Sequence, residues 1–218
     1  MANLKNEIDS YLQNLLALQF KASSGISHNL TKGELREKFV EQVVNSQYPN
    51  VQLKSGILTH DDWQSSQGDF IWLKANARVG NFSIYELSDC KMFMEIKSNA
   101  QHTELVALNT VAGEIHRRSR TIDENARILV GMFCYATDAT DKTVLKKFGF
   151  RYDKDFQGYC AYDATKDIFK EINFLFSLNI GEDGTPSPYI VIRDIFGNCS
   201  LYNANPVIAN FFNFFKQE

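Results

Sequence analysis

CKMFMEIKS, residues 90–98, is a strongly apolar run that ends in charge. Side chains alternate along an extended strand, so Glu95 and Lys97 emerge on one face while Met94 and Ile96 turn to the other. A carboxylate and an amine therefore stand side by side where a buried strand leaves the core. Alone this says little. A D/E-x-K tripeptide arises about once or twice by chance in a chain of ordinary charge, and Asp89-Cys90-Lys91 is a second instance.

Upstream, DFIWLK (69–74) reads as another apolar strand, opened by Asp69 directly after the polar turn HDDWQSSQG (60–68). VQLKSGIL (51–58) alternates as a strand does, and ARVGNFSIYELSD (77–89) is a hairpin arm or a loop. Downstream, TELVALNTVAGEIHRRSR (103–120) has helical spacing, RILVGMFCYA (127–136) is a buried strand, and DKTVLKKFGF (141–150) is a helix. Two helices precede the strands. The first spans residues 3–20; the second opens on the capping-box pattern Thr31-Lys-Gly-Glu34 and ends near Tyr48-Pro49. The order α–β–β–β–α–β, with one long crossover helix, predicts an α/β domain around a mixed central sheet flanked by helices. The remainder reads as a helix (166–178), a strand (188–195), a second short strand and a Phe-rich final helix ending FFNFF. Residues 1–218 thus make one domain: an N-terminal helix (1–30), a core (31–136) and a C-terminal α+β extension (137–218).

Composition narrows the classes. The 218 residues are 44% apolar and 22% charged, which excludes a disordered or low-complexity chain. No apolar run approaches the roughly 18–20 residues that span a bilayer, and the expectation is a cytoplasmic protein without a membrane role. Cys90, Cys134, Cys160 and Cys199 are far apart and form no CxxC pair, so they read as reduced, mostly buried thiols. With 23 basic and 26 acidic side chains the net charge is −3, and a protein held on DNA by bulk positive charge should not be acidic. Any nucleic-acid contact must use local basic patches, a metal ion or a partner.

If the strands carrying Asp69 and Glu95 pair, the two acids converge and offer oxygen ligands to a hard divalent cation. Mg²⁺ takes one or two carboxylates and completes its octahedron with water and phosphate oxygens. Lys97 beside them can stabilise developing charge or help deprotonate water, and phosphodiester hydrolysis needs these functions together. On a helical wheel Glu37 borders the apolar arc beside Val44, whereas Glu34 and Glu41 lie further toward solvent. Glu37 is therefore the helix acid expected to reach the sheet edge, with Glu41 next, and Glu34 is explained by the cap.

These residues, in this order, resemble the PD-(D/E)xK phosphodiesterase superfamily, the restriction-endonuclease-like fold. More narrowly, four motifs resemble a bacterial and phage family of unknown function assigned to it. They are H-x₄-G-x₂-R-E (His28, Gly33, Arg36, Glu37), a loose S-x-x-G ending at Gly56, S-x-Q-x-D (Ser65, Gln67, Asp69) and E-x-K-S (Glu95, Lys97, Ser98). The likeness covers roughly residues 1–135. It departs at Gly68, where the superfamily name has proline, and a missing Gln-x₃-Tyr on the crossover helix argues against the exonuclease branch. The resemblance implies a Mg²⁺-dependent nuclease (Mn²⁺ as substitute) that cuts DNA ahead of RNA to 5′-phosphate and 3′-hydroxyl ends, in a setting such as restriction or phage defence. Asp69 and Glu95 would hold metal, Lys97 would act on water or charge, and Glu37 would support a second metal or orient the site. The rival is an inactive scaffold of the same fold that binds nucleic acid or a protein. A homodimer or a regulatory protein partner is expected with either.

Other residues keep two readings. Gln67 either bonds a ligand or closes the turn. His116, Arg117, Arg118 and Arg120 either complement the helix dipole or touch phosphates. Lys146, Lys147, Arg151 and Lys154 form a second basic cluster of the same ambiguity, while Phe211, Phe212, Phe214 and Phe215 read as core or oligomer contact ahead of a base-stacking platform.

Overall fold

A computed structural model describes residues 2–77, 82–137, 141–155 and 158–216. Two helices open the chain, α1 (Ala2–Ser24) and α2 (Asn29–Gln47). Strands β1 (Leu53–His60), β2 (Trp63–Leu73) and β3 (Ile84–Glu86) follow, and a 3₁₀ turn (Leu87–Asp89) leads into β4 (Cys90–Lys97). The crossover helix α3 (His102–Ile122) returns the chain to β5 (Leu129–Cys134). Then come α4 (Asp141–Lys147) and the hairpin β6 (Phe148–Asp153) and β7 (Gly158–Asp167). Strands β8 (Phe174–Ser177), β9 (Tyr189–Arg193) and β10 (Cys199–Tyr202) precede α5 (Val207–Phe212), which runs on into a 3₁₀ turn (Asn213–Lys216).

Eight strands make one mixed sheet in the order β10-β9-β8-β5-β4-β2-β1-β3, and β6 and β7 pair apart from it. β4, β5 and β8 are mutually parallel, while β2 runs antiparallel to β4. The expected α/β class with a mixed central sheet between helices is what the chain forms. The C-terminal extension gives three of its strands to that same sheet.

Alternation along the central strands supplies two apolar layers. Phe93, Val130 and Met132 pack with Leu105, Ala112 and Ile115 of α3 on one face. Met92, Met94, Phe133 and Phe176 pack with α1, α2 and α5 on the other. Phe133 stacks on Phe176 at 4.8 Å, and Phe211 and Phe214 crowd Phe174 at 6.0 and 4.7 Å, so the Phe-rich tail is core as expected. Each such ring contributes about 1.5–3 kcal/mol by leaving water. The seal to α1 is polar. The buried Asp9 carboxylate accepts from the backbone N–H groups of Val207 (3.0 Å) and Ala209 (2.8 Å) and from Gln13 (2.6 Å).

A buried ion pair fastens the other end of the sheet. The Arg193 guanidinium stands 2.8 Å from Asp167, and both are shut from solvent at 5% and 0% exposure. Arg193 also donates to the carbonyls of Ile172 (3.0 Å), Phe169 (2.9 Å) and Gly197 (2.8 Å).

Three local expectations need correction. The helix expected over 166–178 is the end of β7, a turn and then β8, whose four residues are all buried. An apolar run covered on both faces carries no period by which to tell strand from helix. The turn expected over residues 60–68 shrinks to Asp61-Asp62, with Asp61 at φ 53°, and β2 resumes at Trp63. Its polar side chains sit in the ladder because β1 satisfies them: Ser65 accepts the Leu58 N–H at 2.9 Å, and Gln67 donates to Ser55 at 3.1 Å. Finally, α2 starts earlier than Thr31, because His28 Nδ1 accepts the Thr31 N–H at 3.3 Å and is the cap. Residues 78–81, inside the stretch read as hairpin arm or loop, and the Cys160 side chain lie outside the described residues. Cys90, Cys134 and Cys199 are free and buried.

Among the described residues, no helix is long and apolar enough to cross a membrane.

Candidate active site

The site forms where β2 and β4 part. Their ladder runs from Leu73↔Cys90 to Phe70↔Met94, while β4 stays paired to β5 as far as Lys97↔Cys134. Beyond Phe70 the freed backbone N–H of Ile96 needs an acceptor, and the Asp69 carboxylate takes it at 2.7 Å. Glu95 and Lys97 share their strand face with Phe93, toward the α3 layer, while a bulge in β2 between Gly68 and Ile71 breaks the alternation there and puts Asp69 on the wall of a cleft against α2.

The three groups meet. Lys97 Nζ donates to Glu95 Oε2 at 2.7 Å and stands 3.8 Å from Asp69 Oδ2. Burial, then, for Glu95, the nearby negative charges of Asp69 and Glu104, pushes Asp69 and Glu95 above the ordinary carboxylate range, though Lys97 pulls both back. Burial alone would lower Lys97, but Glu95, Asp69 and Glu104 outweigh it and hold the ammonium above its usual value. Lys97 is thus a fixed positive charge between two acids.

Glu37 reaches this group from α2, in the opposite layer. A cleft of about 380 Å³ between α2 and the β1–β2 end carries Glu34, Glu37, Ser55 and Asp69 on its wall. Burial first, then Asp69, raises the Glu37 pKa, and Glu34 and Glu95 add to it. Glu41, the other helix candidate, is held by Lys38 at 2.7 Å. A carboxyl whose folded pKa is raised stabilises the fold only while protonated, and that stability is lost as pH rises through the folded pKa. In chelator, Glu37→Gln is therefore expected to raise the melting temperature at pH 7 by ~1–3 °C. The gain should vanish near pH 4, and equal shifts at both pH values would exclude the charge as its cause.

Two anchors hold Glu37 and Lys97 in place. Arg36, buried beside Glu37, donates to Ser98, Ser23 (2.9 Å) and Ser24 (3.1 Å) and lies 4.0 Å over the Phe20 ring. Its carbonyl accepts from the buried Tyr135 hydroxyl at 2.9 Å. α2 is thereby pinned to the turn that follows Lys97. The second anchor is Gly68. A Cβ there would come within 2.6 Å of the Phe93 ring, so the residue before Asp69 must be bare. Gly68→Ala is expected to cost about 1–3 kcal/mol through overpacking, readable as a lower urea midpoint at unchanged slope; an unshifted midpoint would contradict it.

Of the expected residues, Asp69, Glu95 and Lys97 come into direct contact, and Glu37 faces Asp69 across the cleft. Missed in the sequence were the Arg36–Ser98 link and Glu104, whose carboxylate accepts the Gln101 N–H at 2.8 Å and adds its charge to Glu95 and Lys97. An acid in the first turn of the crossover helix was the available signal for Glu104. The basic residues ending α3 are partly committed locally: Arg117 to Glu114 (2.8 Å), Arg118 to Glu114 (3.4 Å), and His116 to Glu171 (3.3 Å).

Among the described residues, no three His, Cys, Asp or Glu side chains form a group that could cage a metal ion. A hard cation such as Mg²⁺ needs only one or two carboxylates. Two half-buried, mutually repelling acids on adjacent strands fit that demand.

No family model matches the sequence, and no curated protein matches it. Among solved structures, the cAAA-bound form of NucC from E. coli MS115-1 superposes with TM-score 0.70 at 12% identity, over 97% of this chain and 88% of that one. The cAAA-bound form of NucC from P. aeruginosa ATCC27853 gives 0.68 at 12% identity, over 97% and 89%. The apo form of the E. coli protein gives 0.58 at 11% identity, over 97% and 89%. At such identity the likeness is one of fold.

Proposed function

We propose that this chain is a metal-dependent endonuclease that hydrolyses phosphodiester bonds in DNA, in a role such as restriction or phage defence. The observation that carries the reading is the meeting of Lys97 with Glu95 and Asp69 where two paired strands separate. Three charged groups drawn from positions 26 and 28 residues apart, half-buried and crowded together, are costly unless they serve chemistry.

Asp69 and Glu95 would hold Mg²⁺, with Glu37 orienting the site from α2. When bound, the cation would polarise the scissile phosphate and acidify water. Asp69 is aimed by the Ile96 N–H, and its second oxygen is left to coordinate. Lys97, kept protonated, supplies positive charge to the phosphoryl oxygens as negative charge builds up on them. Glu37, with its raised proton affinity, is suited to order water at the mouth of the cleft.

Calorimetry with Mn²⁺ tests the metal role. The wild-type chain should bind it, and Asp69→Asn should weaken binding by at least about tenfold, while supercoiled plasmid is nicked with Mg²⁺ and not in chelator. A chain that binds no Mn²⁺ and leaves plasmid intact would instead be the inactive scaffold.

A second reading concerns control. This chain fits the cAAA-bound form of the E. coli NucC better than its apo form, which supports a nuclease whose shape is set by a small effector. Addition of cAAA should then raise the melting temperature and the nicking rate; no change in either would dismiss it.

A further inference from the structure

The β6–β7 hairpin stands off the central sheet and frames a cavity of about 480 Å³. Its lining is unlike that of the acidic cleft. Phe150 pairs with Tyr162 (5.8 Å between rings) and Tyr152 with Tyr159 (5.3 Å), two cross-strand aromatic pairs in succession. Phe150 is buried, Tyr159 and Tyr162 pack against the core, and Tyr152 is more than a third exposed, so the rings form a staircase from core to solvent.

Cations rim it. Lys146, Arg151 and Lys166 border the cavity with a single acid, Asp163. Asp163 is already engaged, accepting from the Thr165 N–H (3.0 Å) and hydroxyl (2.6 Å) with Lys166 at 3.6 Å. Lys146 and Arg151 are exposed and have no ion-pair partner among the described residues.

The backbone is shaped to open this space. Between the pairs Phe148↔Asp167 and Phe150↔Tyr162, β7 spends five residues against two in β6, and the surplus bows out as the rim that bears Asp163 and Lys166. Gly149 makes the bend at φ +84°, and a Cβ there would lie 2.6 Å from the Asp163 carbonyl. The hairpin belongs to the crossover that leaves the sheet at the carboxyl end of β5, beside Lys97. Its base is also wedged against the start of α3, since Phe148 packs on Phe169 (5.0 Å) and Phe169 on His102 (5.8 Å).

We propose that this cavity is a second nucleic-acid subsite, which stacks an unpaired base of a single DNA strand on Tyr152 and Tyr159 and holds its flanking phosphates with Lys146 and Arg151. Planar rings accept any base by its π-face, and cations beside them follow the backbone. A base within a duplex has no face to offer, so the strand is single or locally opened. The site rests on the nuclease reading only for naming that strand as substrate. It also resolves the acidic net charge, because few phosphates are gripped and stacking does the rest.

The test is fluorescence anisotropy with a labelled oligothymidylate of roughly ten nucleotides, using the full chain in chelator so that no cleavage intervenes. Tyr152→Ser and Arg151→Glu, both at exposed positions, should each weaken binding about tenfold. Arg151→Glu should also flatten the dependence of log Kd on log salt by about 0.7, one phosphate's share. Parent-like binding by both variants, with unchanged melting temperatures, overturns the proposal. So does adenosine monophosphate binding as tightly as the oligomer, since that describes a nucleotide pocket and not a strand site. Plasmid nicking judges the other reading separately. Loss of oligomer binding in a chain that never nicks keeps this subsite and removes the nuclease, and nicking with unaltered oligomer binding does the reverse.

Discussion

Replacing Lys97 by alanine is expected to lower Mg²⁺-dependent nicking of supercoiled plasmid by about 10²–10³-fold, the usual cost of removing one preorganised charge from a developing oxyanion. The ammonium sits 2.7 Å from Glu95 and 3.8 Å from Asp69, so its loss also leaves two raised carboxyls with no counter-charge. The variant should therefore melt somewhat lower in chelator and recover when Mn²⁺ is added, because the cation replaces the missing positive charge. Those two readouts separate chemistry from folding. Nicking by Lys97→Ala at the wild-type rate would falsify the catalytic assignment, whatever its stability.

The largest loss of stability is expected at Arg193. Arg193→Met leaves the fully buried Asp167 carboxylate without its counter-charge, with the Tyr162 hydroxyl and the Phe169 N–H still donating to it, and breaking such a pair from one side costs about 3–5 kcal/mol. At roughly 2–4 °C per kcal/mol for a chain this size, thermal melting should drop by about 10 °C or more. The double variant Asp167→Leu with Arg193→Met should regain part of that loss, since no charge is left buried. If the double variant is no more stable than the single one, the cost lies in packing and not in the orphaned charge.

How much of this was legible in the sequence follows from what each residue had to announce. Glu95 and Lys97 were visible because a period of two and a terminal charge are local facts. Glu37 could be chosen from its neighbours on the helix wheel, since the apolar arc of α2 faces the sheet. Asp69 was identified but misplaced: it stands well inside β2, because Ser65 and Gln67 spend their polarity on β1 and need no turn. Strand β8 was hidden by being buried on both faces, and the β6–β7 hairpin by bulges that destroy its alternation. The Arg36–Ser98 bond joins residues 62 apart, and nothing local in either predicts the other. Proline's absence before Asp69, noted in the sequence as a mere departure, is required by the Phe93 ring.

Asp9 bonds to Val207 and Ala209 across 198 and 200 residues of chain. The two partners are thus synthesised far apart in time. Without α5, the aromatic layer around Phe133 and Phe174 lacks its lid, and a polypeptide halted before that helix carries a greasy, half-shut sheet. Closure of this layer is therefore a long-range step that no local segment can complete alone.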